Sequence, residues 1–186
     1  MEQRAFFALK FDDDGLDFLD ERIQLFRGRG WERHARFLST EDLHITLRFL
    51  GDLREAQDEL EERAHALARH TAPFSFEIAP CGLFPRVSRA RVIAAQIQTP
   101  CPELRQLARG FESIAVETGF SPENRGFRPH ITLARLQRQN RRPNLPTRPG
   151  TMWQKADRIY LLHNRPDGSE GSLYETLAEF PLEGGS

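Results

Sequence analysis

Apolar residues recur along this 186-residue chain with two different periods, and the changes of period mark out its elements. The run "RAFFALKFD" predicts a first, buried strand, ended by Asp12, Asp13 and Asp14. Leu16, Leu19, Ile23 and Phe26 follow at helical spacing, with Gly28 and Gly30 as the stop. "RFLSTEDLHITLRFLG" reads as two strands separated by the turn residues Ser39 to Asp42. Ala56, Leu60, Ala64 and Leu67 trace the inner face of an acidic helix that Pro73 ends. "FSFEIA" and "ARVIAAQI" predict strands, with the turn-rich "PCGLFPRVSR" as the loop between them. Leu104, Leu107, Phe111, Ile114 and Ala115 define a third helix, from Pro102 to Gly119. The loop "FSPENRGFRP" leads into a strand beginning "HITL", and the polar "QRQNRRPNLPTRPG" beyond it is expected to be mobile. "DRIYLLHN" and "LYETLAEFPL" close the chain as strands joined by "RPDGSEGS".

Helices thus alternate with pairs of strands, and paired strands with short connections are antiparallel neighbours. The expected fold is α+β, with two pseudo-symmetric antiparallel sheets flanked by helices. Each half carries one His-Ile-Thr-Leu strand, at 44–47 and at 130–133. No stretch reads as an interdomain linker, so residues 1–186 are expected to form one two-lobed domain.

Composition narrows the setting. With 39% hydrophobic and 28% charged residues the chain is of the soluble globular class. No segment approaches the ~20 apolar residues a membrane helix needs. "MEQRAFFALKFDDD", with charges on both sides of a short apolar run, does not read as a secretory signal. Cys81 and Cys101 are not spaced as a metal or redox pair, which fits a reduced, cytoplasmic setting. The net charge of -1 promises no polyanionic partner, but its distribution is uneven. From Asn124 to Ala156 there are seven Arg and one Lys and no Asp or Glu, so the rest of the chain is acidic. That window holds the second His-Ile-Thr-Leu, and a visiting anion would relieve its self-repulsion.

The repeat is where the chemistry concentrates. Strand parity sets His44 and Thr46 on one face and Ile45 and Leu47 on the other, and likewise His130 and Thr132 against Ile131 and Leu133. Repeated packing alone has no reason to keep an imidazole in phase with a hydroxyl. If approximate twofold symmetry turns both polar pairs to one cleft, two imidazoles and two hydroxyls converge. Such a cleft suits phosphodiester chemistry, in which one group takes a proton from the nucleophile and another gives one to the leaving oxygen. Histidine does both because its reference pKa is ~6.5. Threonine hydroxyls can bond the non-bridging oxygens and arginine can neutralise developing charge. Two histidines without a grouped carboxylate or thiolate set make a poor zinc site, so no metal is expected.

The paired H-x-T-x motifs resemble the two-histidine phosphoesterase superfamily. "FFALKF", "LHITLRFLGDL", "GLFPRVSRARVI", "GFSPENRGFRPHITLARL" and "LYETLAEFPL" narrow the likeness to the bacterial and archaeal RNA 2′,3′-cyclic phosphodiesterases, also called LigT-like 2′-5′ RNA ligases. The resemblance spans nearly the whole chain, apart from 137–150. It implies a bilobal fold with the cleft between the lobes. It also implies hydrolysis of an RNA or nucleotide 2′,3′-cyclic phosphate to a 2′-phosphomonoester, without a cofactor, and reversible 2′-5′ ligation. By the same resemblance His44 is the acid toward the departing 3′-oxygen and His130 the base that activates water. Thr46, Thr132 and Arg135 fall on the phosphate ligands. A monomer is expected.

Arg135 sits awkwardly with strict alternation, since its odd offset from His130 puts it on the opposite face. Either the strand bulges or ends after Leu133, or the side chain bends around the edge. Arg48 is the arginine that alternation sets in phase with a motif histidine. Phe84 and Phe127, both expected in loops, are candidates to stack a nucleobase, as are Phe49 and Trp153, although parity gives Phe49 to the packing face. Two other readings stay open: a sister enzyme acting on another small cyclic or 2′-5′-linked nucleotide, and a non-catalytic RNA-binding module.

Overall fold

A computed structural model describes residues 4–53, 57–137, 144–146, 148–165 and 171–185. Nine strands and three helices are assigned among them. They are β1 (Ala5–Leu9), α1 (Asp13–Arg27), β2 (Ala35–Phe37), β3 (Ile45–Gly51), α2 (Gln57–Arg69), β4 (Phe74–Phe84), β5 (Val92–Ile97), α3 (Pro102–Glu117), β6 (His130–Leu136), β7 (Met152–Ala156), β8 (Arg158–Asn164) and β9 (Tyr174–Pro181). Helix α1 starts where Asp12 caps it, its carboxylate accepting from the Gly15 N–H at 2.8 Å. Proline at the first turn of α3 gives up an N–H that the helix could not use.

Every strand pairing is antiparallel, in the order β7-β4-β5-β6-β3-β1-β8-β9, with β2 also on β6. The order falls into two four-stranded runs that meet where β3 lies beside β6. That seam is registered through one pair, Ile45 opposite Ile131. The two expected sheets are therefore present as two halves of one sheet, and each half ends at the seam in a His-Ile-Thr-Leu strand. The chain weaves between the halves: β1, β3, β8 and β9 make one, and β4 to β7 with β2 make the other.

Strand β1 is buried on both faces. Ala5, Phe7 and Leu9 face the main core, which runs unbroken under both halves to Phe111, Phe76, Ile93 and Leu133. Phe6 and Ala8 face the other way and pack with Leu162, Tyr160 and Tyr174. Helices α2 and α3 pack on the half that holds β3 and β9, and α1 on β7 of the other half.

Two expectations change. Strand β4 does not stop at Pro80 but continues through "PCGLF", so Phe84 ends a strand and is not in a loop. Its register against β5 slips between Ile78 and Cys81, and a bulge there accommodates a residue with no N–H to give. Strand β7 is an addition to the expected elements, because "MWQKA" turns a glutamine inward where alternation calls for an apolar residue. Gln154 is nonetheless 3% exposed, since its amide donates to Asp12 Oδ1 at 2.8 Å and pins the strand to the α1 cap. Half of the expected mobile loop, 138–143 and 147, lies outside the described residues, as does Ala56.

Candidate active site

The seam sets the two motifs side by side. With Ile45 opposite Ile131, one antiparallel step either way brings His44 across from Thr132 and Thr46 across from His130. The two histidines are then diagonal neighbours, with Cβ atoms about 7 Å apart. They feel each other electrostatically, and His130 helps to lower the pKa of His44.

Both rings are tethered in the same way. His44 Nδ1 lies 2.7 Å from the carbonyl of Asp42, and His130 Nδ1 lies 2.8 Å from the carbonyl of Arg128. A carbonyl only accepts, so each Nδ1 carries the hydrogen and each neutral ring keeps its lone pair on Nε2. The aromatic surroundings differ. His44 lies against Phe6 at 4.9 Å and edge-on to Tyr174 at 5.1 Å, whereas His130 stacks on Phe84 at 4.1 Å and 21°. Burial drives the pKa of His44 down to about 4, and burial likewise lowers that of His130. Both imidazoles are therefore neutral at pH 7 in the free protein.

A bulge in each motif decides which arginine shares a face with its histidine. Against β5, Ile93 pairs with Ala134 but Ala94 pairs with Thr132, so Leu133 is an extra residue in β6. Against β1, Phe7 pairs with Arg48 but Ala8 pairs with Thr46, so Leu47 is the extra residue in β3. Both bulges fall on the leucine of His-Ile-Thr-Leu. The residue after it is buried in both strands, and the fifth residue after each histidine returns to the histidine's face. In β6 that residue is Arg135, exposed and near enough to the Tyr174 hydroxyl to offset part of the rise that burial gives its pKa. In β3 it is Phe49, which is 56% exposed and 5.7 Å from Phe6.

Arg48 is correspondingly displaced. Expected beside His44, it is 7% exposed and pairs with Glu112 of α3, while donating to the Ser121 carbonyl at 2.6 Å. It ties β3 to the helix layer and does not face the cleft. The bulge adds one residue and so reverses the parity on which that expectation rested. Phe84 and Phe127 both line a cavity next to His130. Trp153 is exposed on the edge strand β7, three strands from the seam.

Sequence reasoning missed Asp42 and Tyr174. Asp42 is 3% exposed, and its carboxylate accepts from Ser39 Oγ at 2.8 Å and from Ser172 Oγ and Leu173 N at 2.7 Å. One residue thus orients His44 through its carbonyl and anchors the start of β9 through its side chain. No local pattern could reveal the anchor to β9, because Ser172 and Leu173 are 130 and 131 residues away. Among the described residues no group of three or more His, Cys, Asp or Glu could hold a metal ion, and no helix is long and apolar enough to cross a membrane.

Fold and site together define an α+β protein whose two H-x-T-x strands meet across one curled sheet. Residues 18–155, which include both motifs, match the 2′-5′ RNA ligase superfamily, and the chain belongs to that family. A relative from Escherichia coli strain K12, named RNA 2′,3′-cyclic phosphodiesterase, is 32% identical over 183 residues, 97% of each chain. One of the same name from Aeropyrum pernix is 38% identical over 106 residues, 56% of this chain and 59% of that protein. The match to another from Aquifex aeolicus likewise spans 58% of that protein. Among solved structures, a protein of Thermus thermophilus superposes with a TM-score of 0.81 at 26% identity, over 97% of this chain and 98% of that one. Escherichia coli LigT complexed with 3′-AMP has a TM-score of 0.75 at 24% identity, over 98% and 99%, and supports the fold.

Proposed function

We propose that this protein hydrolyses RNA or nucleotide 2′,3′-cyclic phosphates to 2′-phosphomonoesters with its own side chains and no metal. One observation carries the reading. Two imidazoles, each tied through Nδ1 to a backbone carbonyl, share a strand face with a guanidinium. Relatives named RNA 2′,3′-cyclic phosphodiesterase support the substrate class.

Water attacks phosphorus in line with the departing 3′-oxygen. His130 Nε2 takes the water proton, and His44 Nε2–H gives one to the 3′-oxygen, each transfer worth typically ~10²–10⁴-fold. Thr46 and Thr132 donate to the non-bridging oxygens, and Arg135 offsets the charge that builds on them. His44 must be charged to act as an acid, yet burial keeps it neutral in the free protein. The phosphodiester anion supplies the missing counter-charge, so substrate binding recruits the proton from solvent. The chain works as one two-lobed unit, as a monomer in the cytoplasm.

The direct test offers an oligonucleotide ending in a 2′,3′-cyclic phosphate, with EDTA present, and follows the 2′-phosphate by chromatography. Turnover in the intact protein that is lost in His44→Ala and His130→Ala is the expected result. Binding without turnover in the intact protein would instead mark an RNA-binding module.

A further inference from the structure

Arg135 has a neighbour that the hydrolytic reaction does not use. In the register of β2 against β6, Arg36 stands directly opposite it. Cross-strand partners share a face of the sheet, with Cβ atoms about 4.5–5.5 Å apart. Ala35 and Phe37 turn into the core, which leaves Arg36 exposed on the outer face beside the exposed Arg135. Like charges in this relation repel and weaken the strand pairing. Among the described residues neither guanidinium has a carboxylate partner. On its other side Arg135 pairs with Val92, and the sequence from Asn124 to Ala156 has no Asp or Glu to offer. The natural counterpart of such a pair is an anion from outside.

Register also says which anion this is. Strands β2 and β3 lie one after the other along the same edge of β6. His44 falls across from Thr132 and Arg36 across from Arg135. With the bulged Leu133 discounted, Arg36 is two strand steps beyond His44, or about 7 Å. The reacting phosphate already has Thr46, Thr132 and Arg135 assigned to it. With His44 protonating O3′, the ribose that carries O3′ lies on the His44 side. The rest of the strand is joined to that ribose through its 5′-oxygen and leaves on the same side. Its first charge is the phosphodiester between the terminal nucleotide and the one before.

We propose that Arg36 binds this internal phosphodiester, so that the site selects an RNA strand over a mononucleotide. The proposal rests on the acid role given to His44 above. A guanidinium offers two parallel N–H groups to one phosphate, and the arriving anion cancels the repulsion between Arg36 and Arg135.

The test gives the full chain three substrates and measures kcat/KM on each. They are adenosine 2′,3′-cyclic phosphate, a 3′-5′ diadenosine dinucleotide ending in a 2′,3′-cyclic phosphate, and the same dinucleotide with an uncharged methylphosphonate as its internal linkage. The intact protein is expected to favour the charged dinucleotide over the other two about tenfold, the size of one charge-assisted contact. Arg36→Ala should remove most of that preference, Arg36→Lys should keep part of it, and Arg36→Glu should reverse it. Because one of two repelling charges is lost, the melting temperature of Arg36→Ala should stay level or rise. The site is overturned if the intact protein treats the charged and uncharged dinucleotides alike, or if the preference survives Arg36→Ala. It is also overturned if Arg36→Ala slows all three substrates equally, or if its melting temperature falls, which would make Arg36 a residue of the fold. Hydrolysis of none of the three by the intact protein would reject the phosphodiesterase reading, and this site with it.

Discussion

Arg135 opposes the rise that burial gives the pKa of the Tyr174 hydroxyl, and Tyr174 stands edge-on to His44 with ring centroids 5.1 Å apart. The arginine of the second motif thus reaches the histidine of the first through a residue from the last strand. On the proposed roles, removing Arg135 takes away the cation that offsets charge on the phosphate. Arg135→Ala is expected to lower kcat/KM on a cyclic phosphate about 10²–10³-fold, as loss of a preorganised donor does. Tyr174→Phe removes only its anchor and should cost about tenfold or less. Steady-state kinetics decide this, and a near-normal Arg135→Ala enzyme would remove Arg135 from the phosphate site.

Arg48 should behave in the opposite way. Its guanidinium is buried between β3 and α3, where Glu112 and the Ser121 carbonyl use its donors. Arg48→Ala leaves those acceptors short of a partner and is expected to cost about 1–3 kcal/mol in urea unfolding. KM for the cyclic phosphate should stay within about twofold, because the side chain meets no substrate. A large rise in KM with unchanged stability would mean that β3 keeps strict alternation.

Asp42 links position to stability. Asp42→Ala strips the Leu173 N–H and the Ser39 hydroxyl of their acceptor, leaves the Ser172 hydroxyl only the Tyr174 carbonyl, and should cost about 1–3 kcal/mol. It also loosens the turn whose carbonyl holds His44. Beyond the fall in melting temperature, kcat is expected to drop more than KM changes, and the pH profile should broaden. Asp42→Asn keeps an acceptor oxygen and should restore part of both. A lower melting temperature with an unaltered pH profile would make Asp42 a structural residue only.

The depressed histidine pKa values fix the pH response. On the proposed roles, the free enzyme is productive when His44 is charged and His130 is neutral. Activity then falls below the pKa of one ring and above that of the other, and burial holds both under 6.5. The profile of kcat/KM is expected to be a bell with both limbs below pH 6.5, while that of kcat, which reports the bound complex, lies higher. Calorimetry in buffers of different ionisation enthalpy should show proton uptake when a phosphate ligand binds at pH 7. A profile flat from pH 5 to 9 would end the paired roles.

Stability should follow the same groups. A histidine with a lowered native pKa binds its proton more readily when unfolded, so its contribution is complete above pH 6.5 and is lost as pH falls toward 4. At 1.36 kcal/mol per pKa unit, His44 accounts for up to about 3 kcal/mol across that window. Urea midpoints measured from pH 7 to pH 4.5 should fall, and His44→Gln should flatten the slope. An unchanged slope in His44→Gln would mean that the imidazole is not desolvated as its burial implies.

Much of this protein follows from local chemistry written along the chain. The helix of Leu16 to Phe26, the buried strand at Phe6 and Phe7, and the in-phase His and Thr of each motif depend on residues a few positions apart. Periodicity reports such relations directly. Arg48 and Arg135 lie one residue apart relative to their histidines, and one inserted leucine in each strand exchanged the faces they occupy. A bulge is set by the partner strands and the packing of two consecutive buried residues, neither of which the motif contains. The strand at Gln154 and the anchoring of the start of β9 by the Asp42 carboxylate likewise needed partners more than a hundred residues away.

The chain by itself specified two imidazoles, each in step with a hydroxyl on a strand. Folding decided that those strands would touch at Ile45 and Ile131, and which arginine would join them. Side-chain chemistry is a property of each residue, whereas a shared face is a property of register, and register exists only once distant segments have paired.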